Sequence, residues 1–301
     1  MINDHSSFTQ ALAQLDAPEV QRKALNAEQE RAMLLERFPL TSWESMTLEE
    51  YALGHRGYED SLCYLLEFKA PAMGSIRGGS SRKFLIFWSS KADGWWWEQR
   101  KYDSADEAWR AVRAGHRLML ELADQGEWAQ IDEIEATNGA PATRLKIAYL
   151  YFPNKVLPVF SAEHMRHFLR IAGRQDVIDG GAGATMLNQA LLAELRSVPE
   201  LKSRPTHDLM ALLYRLAHPR EGQEEILRVM PGRGLQWWDD CLQDGFICIG
   251  WSAVGNLDEM ADREAVKEAV QEAYPDLHAT RLGRLTSVSM SSGRSRPVIE
   301  S

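Results

Sequence analysis

The sequence has little cysteine. Cys63, Cys241 and Cys248 are its three thiols in 301 residues, too few and too scattered for a disulfide framework or a Cys-rich zinc site. They read as reduced, partly buried thiols. No run reaches the roughly 18 apolar residues that a bilayer-spanning helix needs. The opening MINDHSSFTQ has neither the basic n-region nor the apolar h-region of a secretory signal. No membrane partner is expected, and the expected compartment is the cytoplasm. Positive charge is in deficit as well: 34 Lys+Arg against 43 Asp+Glu leave −9, which excludes bulk electrostatic coating of nucleic acid. Any such contact must come from a local site. The chain has no G-x-x-x-x-G-K-[ST] motif; Gly74 to Lys83 fails because Arg82-Lys83 stands where Gly-Lys-Ser/Thr would hold phosphate and Mg²⁺. ATP or GTP hydrolysis is not expected of this chain, and no cofactor is implied. No G-x-S-x-G elbow, Cys/His nucleophile pair or internal repeat stands out.

What is present is ordinary globular material, 45% hydrophobic and 26% charged, in a length that suits two domains. From Ser6 to Phe38 the apolar residues fall at helical spacing, divided by Pro18. Thr47 followed by Glu50 forms a capping-box pattern. Ser61 to Phe68 and Lys83 to Ser89 read as strands joined by a Gly/Ser-rich loop, and Trp95 to Tyr102 as a third strand with Trp95 and Trp97 on one face and Trp96 on the other. Ser104, with Asp106 and Glu107 in the first turn, opens a long helix to about Ala123. Trp128 to Glu135 suits a short helix. Leu145 to Phe152 and Lys155 to Phe160 read as a hairpin around Pro153-Asn154. Ser161 caps a helix that stops at Gly173, and further helices are expected at Ala184 to Ser197 and Pro205 to Leu216.

The fold class that follows is α+β, a mixed domain with a small antiparallel sheet and flanking helices. N-terminal helices occupy 1–38, the mixed domain 39–218 with a helical C-terminal part, and the boundary falls in the connector His218 to Gln223. A smaller module occupies 224–276, with strands at Glu225 to Met230 and Phe246 to Gly250, a helix at Gly234 to Leu242 and a last helix at Arg263 to Ala273. The Arg/Ser-rich stretch 277–301 reads as a disordered tail.

Several side-chain groups could carry chemistry. Arg77, Arg82 and Lys83 lie on the flexible backbone of Gly74 to Lys83, suited to phosphate contact through side chains and free N–H groups, or else simply solvated. Asp60, Glu67 and Lys69 imitate the pattern in which two carboxylates hold Mg²⁺ and a lysine polarises water in a nuclease; on a strand, Glu67 and Lys69 would share a face, as would any exposed ion pair. His164 and His167, at i and i+3, could clasp a metal from one helical face, but no third ligand is suggested. Capping or solvated roles compete for them, as for His5, His55 and His116.

The phrases LEEYALG (Leu48 to Gly54), CYLLEFK (Cys63 to Lys69), GSIRGGSSRKF (Gly74 to Phe84) and KIAYLYFPNKVLPVFS (Lys146 to Ser161), in that order, resemble the N-terminal region of McrB-like proteins. These are the nucleotide-driven subunits of modification-dependent (type IV) restriction systems. Met230-Pro231-Gly232, Trp237-Trp238-Asp239, Gly245 to Trp251 and Val254 to Leu257 are similar to the start of an EVE domain, a PUA-like β-barrel associated with modified bases. The likeness runs from about Pro39 to Asp276. A PUA-like barrel needs about five strands to close; the two obvious ones here imply an incomplete module. The AAA+ motor is absent, so the resemblance implies a truncated or frame-shifted motor subunit whose native register ends near Asp276. It implies non-catalytic recognition of DNA carrying a modified base, such as a modified cytosine, in an McrBC-like antiviral defence system, with a motor or nuclease partner subunit. Trp237, Trp238 and Trp251 would supply flat surfaces for an extruded base, and Asp239 could read an exocyclic amino group. The plainer reading makes the tryptophans core filler and Asp239 a solvated helix acid. Two other functions stay open: a protein–protein interaction module without DNA binding, and an Mg²⁺-dependent nuclease.

Overall fold

A computed structural model describes residues 5–55, 59–219, 263–273 and 275. The chain forms two units, Met1–Gly222 and Gln223–Ser301. Its first unit is a helix-rich mixed domain whose described residues include one two-stranded antiparallel sheet. Among the described residues no helix is long and apolar enough to cross a membrane.

Pro18 does divide the N-terminal helices, α1 (His5–Ala13) and α2 (Pro18–Arg37), and sits at the start of the second, where its missing N–H costs no helical hydrogen bond. Val20, Ala27 and Leu34 form the buried stripe of α2. Thr47 and Glu50 make the expected capping box on α3 (Leu48–Tyr51). Ser61 caps α4 (Leu62–Tyr64), which widens into a π-helical turn, Leu65–Lys69. The sheet pairs β1 (Phe87–Ser89) with β2 (Gly94–Trp96).

The long helix α5 (Ala105–Gln125) starts where Ser104 Oγ accepts the Glu107 N–H at 3.1 Å and ends at Gly126, whose φ of 84° is the left-handed stop that glycine tolerates. Its Trp109, Val112, Met119, Leu120 and Ala123 face the core. Burying each large side chain contributes about 1.5–3 kcal/mol. After α6 (Trp128–Ile131) comes α7 (Pro141–Tyr151), then α8 (Ala162–Ile171), α9 (Gln175–Asp179), α10 (Ala184–Arg196) and α11 (Thr206–Leu216). Helix α10 packs against α6, α7, α8 and α9. In the second unit the described helix is α12, Arg263–Ala273, as expected.

Several expected strands are corrected. Ser61 to Phe68 is α4 and the π-helical turn, and Leu145 to Phe152 belongs to α7, buried continuously from Thr143 to Leu150. Neither apolar run carries a one-sided stripe, because each is covered on nearly all sides, and period alone cannot separate such a helix from a buried strand. Lys155 to Phe160 is not a strand but irregular chain that begins in a turn: Asn188 holds it, accepting the Leu157 N–H at 3.0 Å and donating to the Leu157 and Val159 carbonyls. The strand expected from Lys83 begins at Phe87, after a 3₁₀ turn at Ser81–Phe84, and the strand at Trp95 ends at Trp96. The barrel strands expected at Glu225 to Met230 and Phe246 to Gly250, the helix at Gly234 to Leu242 and the tail 277–301 lie outside the described residues.

Candidate nucleic-acid interface

From Ser61 to Trp97 the chain alternates buried anchors, among them Leu62, Leu66, Met73, Phe84 and Ile86, with exposed stretches around the Gly74 to Lys83 loop. The π-helical turn places Glu67 inside, where its carboxylate takes the Lys83 ammonium at 2.6 Å. Lys83 also donates to the Ile76 carbonyl at 2.7 Å and the Gly78 carbonyl at 2.8 Å, so all three of its N–H donors are used within the chain. Arg77 donates to the carbonyls of Glu67 and Phe68, at 3.1 and 2.8 Å. The Gly74 to Lys83 loop is thus folded around its own cations, and it does not join paired strands.

Beneath it, Lys146 on α7 is completely buried and donates to the carbonyls of Leu66, Ala70 and Gly74 at 2.7, 2.6 and 2.6 Å. Burial pushes its pKa down to about 7, with the Glu30 carboxylate opposing. The three carbonyls pull the same way as Glu30, since only the ammonium can donate to all three. Glu30, on α2, accepts the Met73 N–H at 3.0 Å, and its own pKa is raised by burial.

The loop delivers the chain to the β1–β2 hairpin through Leu85, whose φ of 71° is strained for a branched side chain and is held between buried Phe84 and Ile86. Cross-strand neighbours are Phe87 with Trp96 and Trp88 with Trp95. Phe87 and Trp96 stack at 5.0 Å, Trp88 meets Trp95 edge-on at 5.2 Å, and His55 stacks on Trp95 at 5.3 Å. Trp95 and Trp97 also pack on the main core. The exposed Arg82 places its guanidinium carbon 5.0 Å from the centre of the Trp96 ring.

Of the expected phosphate contacts, therefore, Arg82 is presented to solvent beside an aromatic ring. Arg77 is exposed but ties down the loop, and Lys83 is an internal strut, its side chain 17% exposed. The nuclease pattern loses its premise: on the π-helical turn Glu67 points inward to Lys83, Lys69 is exposed, and Asp60 pairs with Arg37. His164 bonds Tyr214 at 2.7 Å and His167 Nε2 donates to the Ala217 carbonyl at 3.2 Å, so the two serve different partners. Among the described residues no three His, Cys, Asp or Glu side chains are grouped to hold a metal. Trp237, Trp238, Asp239 and Trp251 lie outside the described residues.

Compared with protein families, with curated proteins and with solved structures, the chain gives no significant match. Sequence reasoning missed Lys146, Glu30 and the contribution of Phe87 and Trp88. One signal was available: residues 68–92 contain Lys69, Arg77, Arg82, Lys83 and Lys91 and no acidic residue, inside a chain of net charge −9.

Proposed function

We propose that this chain is a non-catalytic DNA-recognition component of an McrBC-like, modification-dependent restriction system, and that it meets the DNA backbone with the Gly74 to Lys83 loop and the β1–β2 hairpin. The observation that carries the reading is Arg82, exposed and laid over Trp96 within an acid-free basic stretch. A guanidinium held over a ring by cation–π attraction keeps N–H groups for phosphate oxygens and loses less side-chain freedom when it binds. The resemblance to McrB-like proteins supports the same reading. It assigns the modified base to Trp237, Trp238, Asp239 and Trp251, and hydrolysis and cleavage to partner subunits.

The test is a titration of unmodified duplexes and of duplexes carrying 5-methyl- or hydroxymethylcytosine at several stated salt concentrations. The expected result is tighter binding of a modified duplex. Arg82→Ala should weaken all duplexes about equally and lower the salt slope by about one, whereas Trp251→Ala should remove only the preference for modification. Equal, purely salt-dependent binding of all duplexes, unchanged by Arg82→Ala, would defeat the proposal. A second reading, a protein-interaction module that never touches DNA, is favoured by the net charge of −9, which repels a polyanion at long range. It predicts no binding of any duplex even at low salt.

A further inference from the structure

A buried ammonium is costly unless every N–H finds an acceptor. Lys146 finds all three on one stretch of chain: the carbonyls of Leu66 and Ala70 at the end of the π-helical turn, and that of Gly74 where the loop begins. Two neighbouring contacts fix the same point. The Glu30 carboxylate takes the Met73 N–H, and Gly74, at φ 98°, lies so close to residues 158–160 that an added Cβ would fall 2.7 Å from both the Phe160 ring and the Pro158 carbonyl. At the far end Lys83 closes the loop onto Glu67, Ile76 and Gly78. Between the anchors, Gly78 and Gly79 stand in open space. A loop of this Gly/Ser composition would otherwise sample many paths.

We infer that Lys146 is a positioning residue: by fixing the carbonyls of Leu66, Ala70 and Gly74 it sets the path of the loop that presents Arg82 beside Trp96, so a polyanion bound there depends on a lysine it never touches. The inference rests on the DNA reading of this loop, but the ordering of the loop is measurable without any ligand.

The experiment is hydrogen exchange read by mass spectrometry on the full chain, paired with titration of a 5-methylcytosine duplex at fixed salt. In Lys146→Met, amides of residues 70–83, Met73 and Gly74 foremost, should exchange about ten- to hundredfold faster, the change expected from losing charge-assisted hydrogen bonds, while α5 and α10 keep their protection. Duplex affinity should fall about tenfold or more. Because methionine leaves three buried carbonyls without a donor, that variant can unfold. Glu30→Ala, on the half-buried flank of α2, removes the acceptor of the Met73 N–H and a charge that favours the Lys146 ammonium, but leaves the three carbonyl contacts in place, and should loosen the same stretch by a smaller factor. Unchanged loop exchange in the folded variants overturns the inference, as does a loosened loop with wild-type affinity. A loosened loop in a protein whose wild type binds no duplex supports control of the loop by Lys146 and overturns the DNA reading alone.

Discussion

Asp132 and Arg144 form an ion pair that doubles as the N-terminal cap of α10. The Arg144 side chain is 1% exposed and that of Asp132 15%. The same carboxylate accepts the N–H groups of Thr185 and Met186 at 3.1 and 3.0 Å, and Arg144 also donates to the Ile131 carbonyl at 3.1 Å. One acid thus neutralises a buried guanidinium and two of the N–H groups that a helix start leaves without partners. Gly183 is required beside it, because a Cβ there would fall 2.4 Å from the carboxylate.

Asp132→Ala should therefore destabilise the fold by about 3–5 kcal/mol, the cost of leaving a buried charge without its partner. Urea unfolding of the variant should show a lower midpoint at an unchanged slope. Arg144→Met should cost less, since the Asp132 carboxylate retains the α10 N–H groups and some solvent.

Acid should weaken the domain through His116. Burial, with a smaller contribution from the nearby Arg144 charge, lowers its pKa to about 3 from 6.5. Tyr51 Oη donates to the Phe84 carbonyl at 3.1 Å, so the His116 Nε2–H donates to Tyr51 Oη at 3.3 Å, and Nδ1 is the bare nitrogen, buried without a partner among the described residues. Between pH 6.5 and 3 the unfolded chain binds a proton that the native state refuses. Stability consequently falls as pH drops through that window, by up to about 1.4 kcal/mol per pH unit, and this group contributes no pH dependence above it. The stability of the wild type minus that of His116→Leu, measured by denaturant unfolding from pH 6.5 down to 4, should fall with this slope as the pH drops.

Asn188→Asp tests what holds residues 155–160 in place. The substitution keeps shape and the acceptor for the Leu157 N–H but removes the donors to the Leu157 and Val159 carbonyls. A loss of about 2–4 kcal/mol is expected from two buried carbonyls facing a carboxylate, readable as a drop in Tm.

Two glycines in the left-handed region should respond differently to alanine. Gly126→Ala meets no atom within 4 Å and should cost about 1 kcal/mol for its φ alone. Gly74→Ala carries the same conformational cost and collides with Phe160 and the Pro158 carbonyl as well, so a loss of about 2–4 kcal/mol is expected. Thermal unfolding of the pair gives the comparison directly.

Helix ends were readable in advance where a side chain caps the backbone locally, as at Thr47, Ser104 and Ser161, because capping is written within four residues of sequence. Helix α7 was not. Its residues Thr143 to Leu150 are all buried, so the amphipathic period that marks a helix vanished, and Pro141 at its start was the local cue that remained. The site followed the same rule. The basic loop and the alternating tryptophan faces could be read from neighbours in sequence. The division of labour among the cations could not, since Lys146 reaches its carbonyls from another element and Lys83 turns inward only because the π-helical turn buries Glu67.

The most direct measurement of the central claim is a hydrogen-exchange footprint of the full chain with and without a 5-methylcytosine duplex at low salt. Protection concentrated in residues 74–97, reached by Arg82→Ala only at higher duplex concentration and without loss of fold, is the predicted result. Saturating duplex that leaves 74–97 unprotected, or protection of Arg82→Ala that matches the wild type at every duplex concentration, would contradict it.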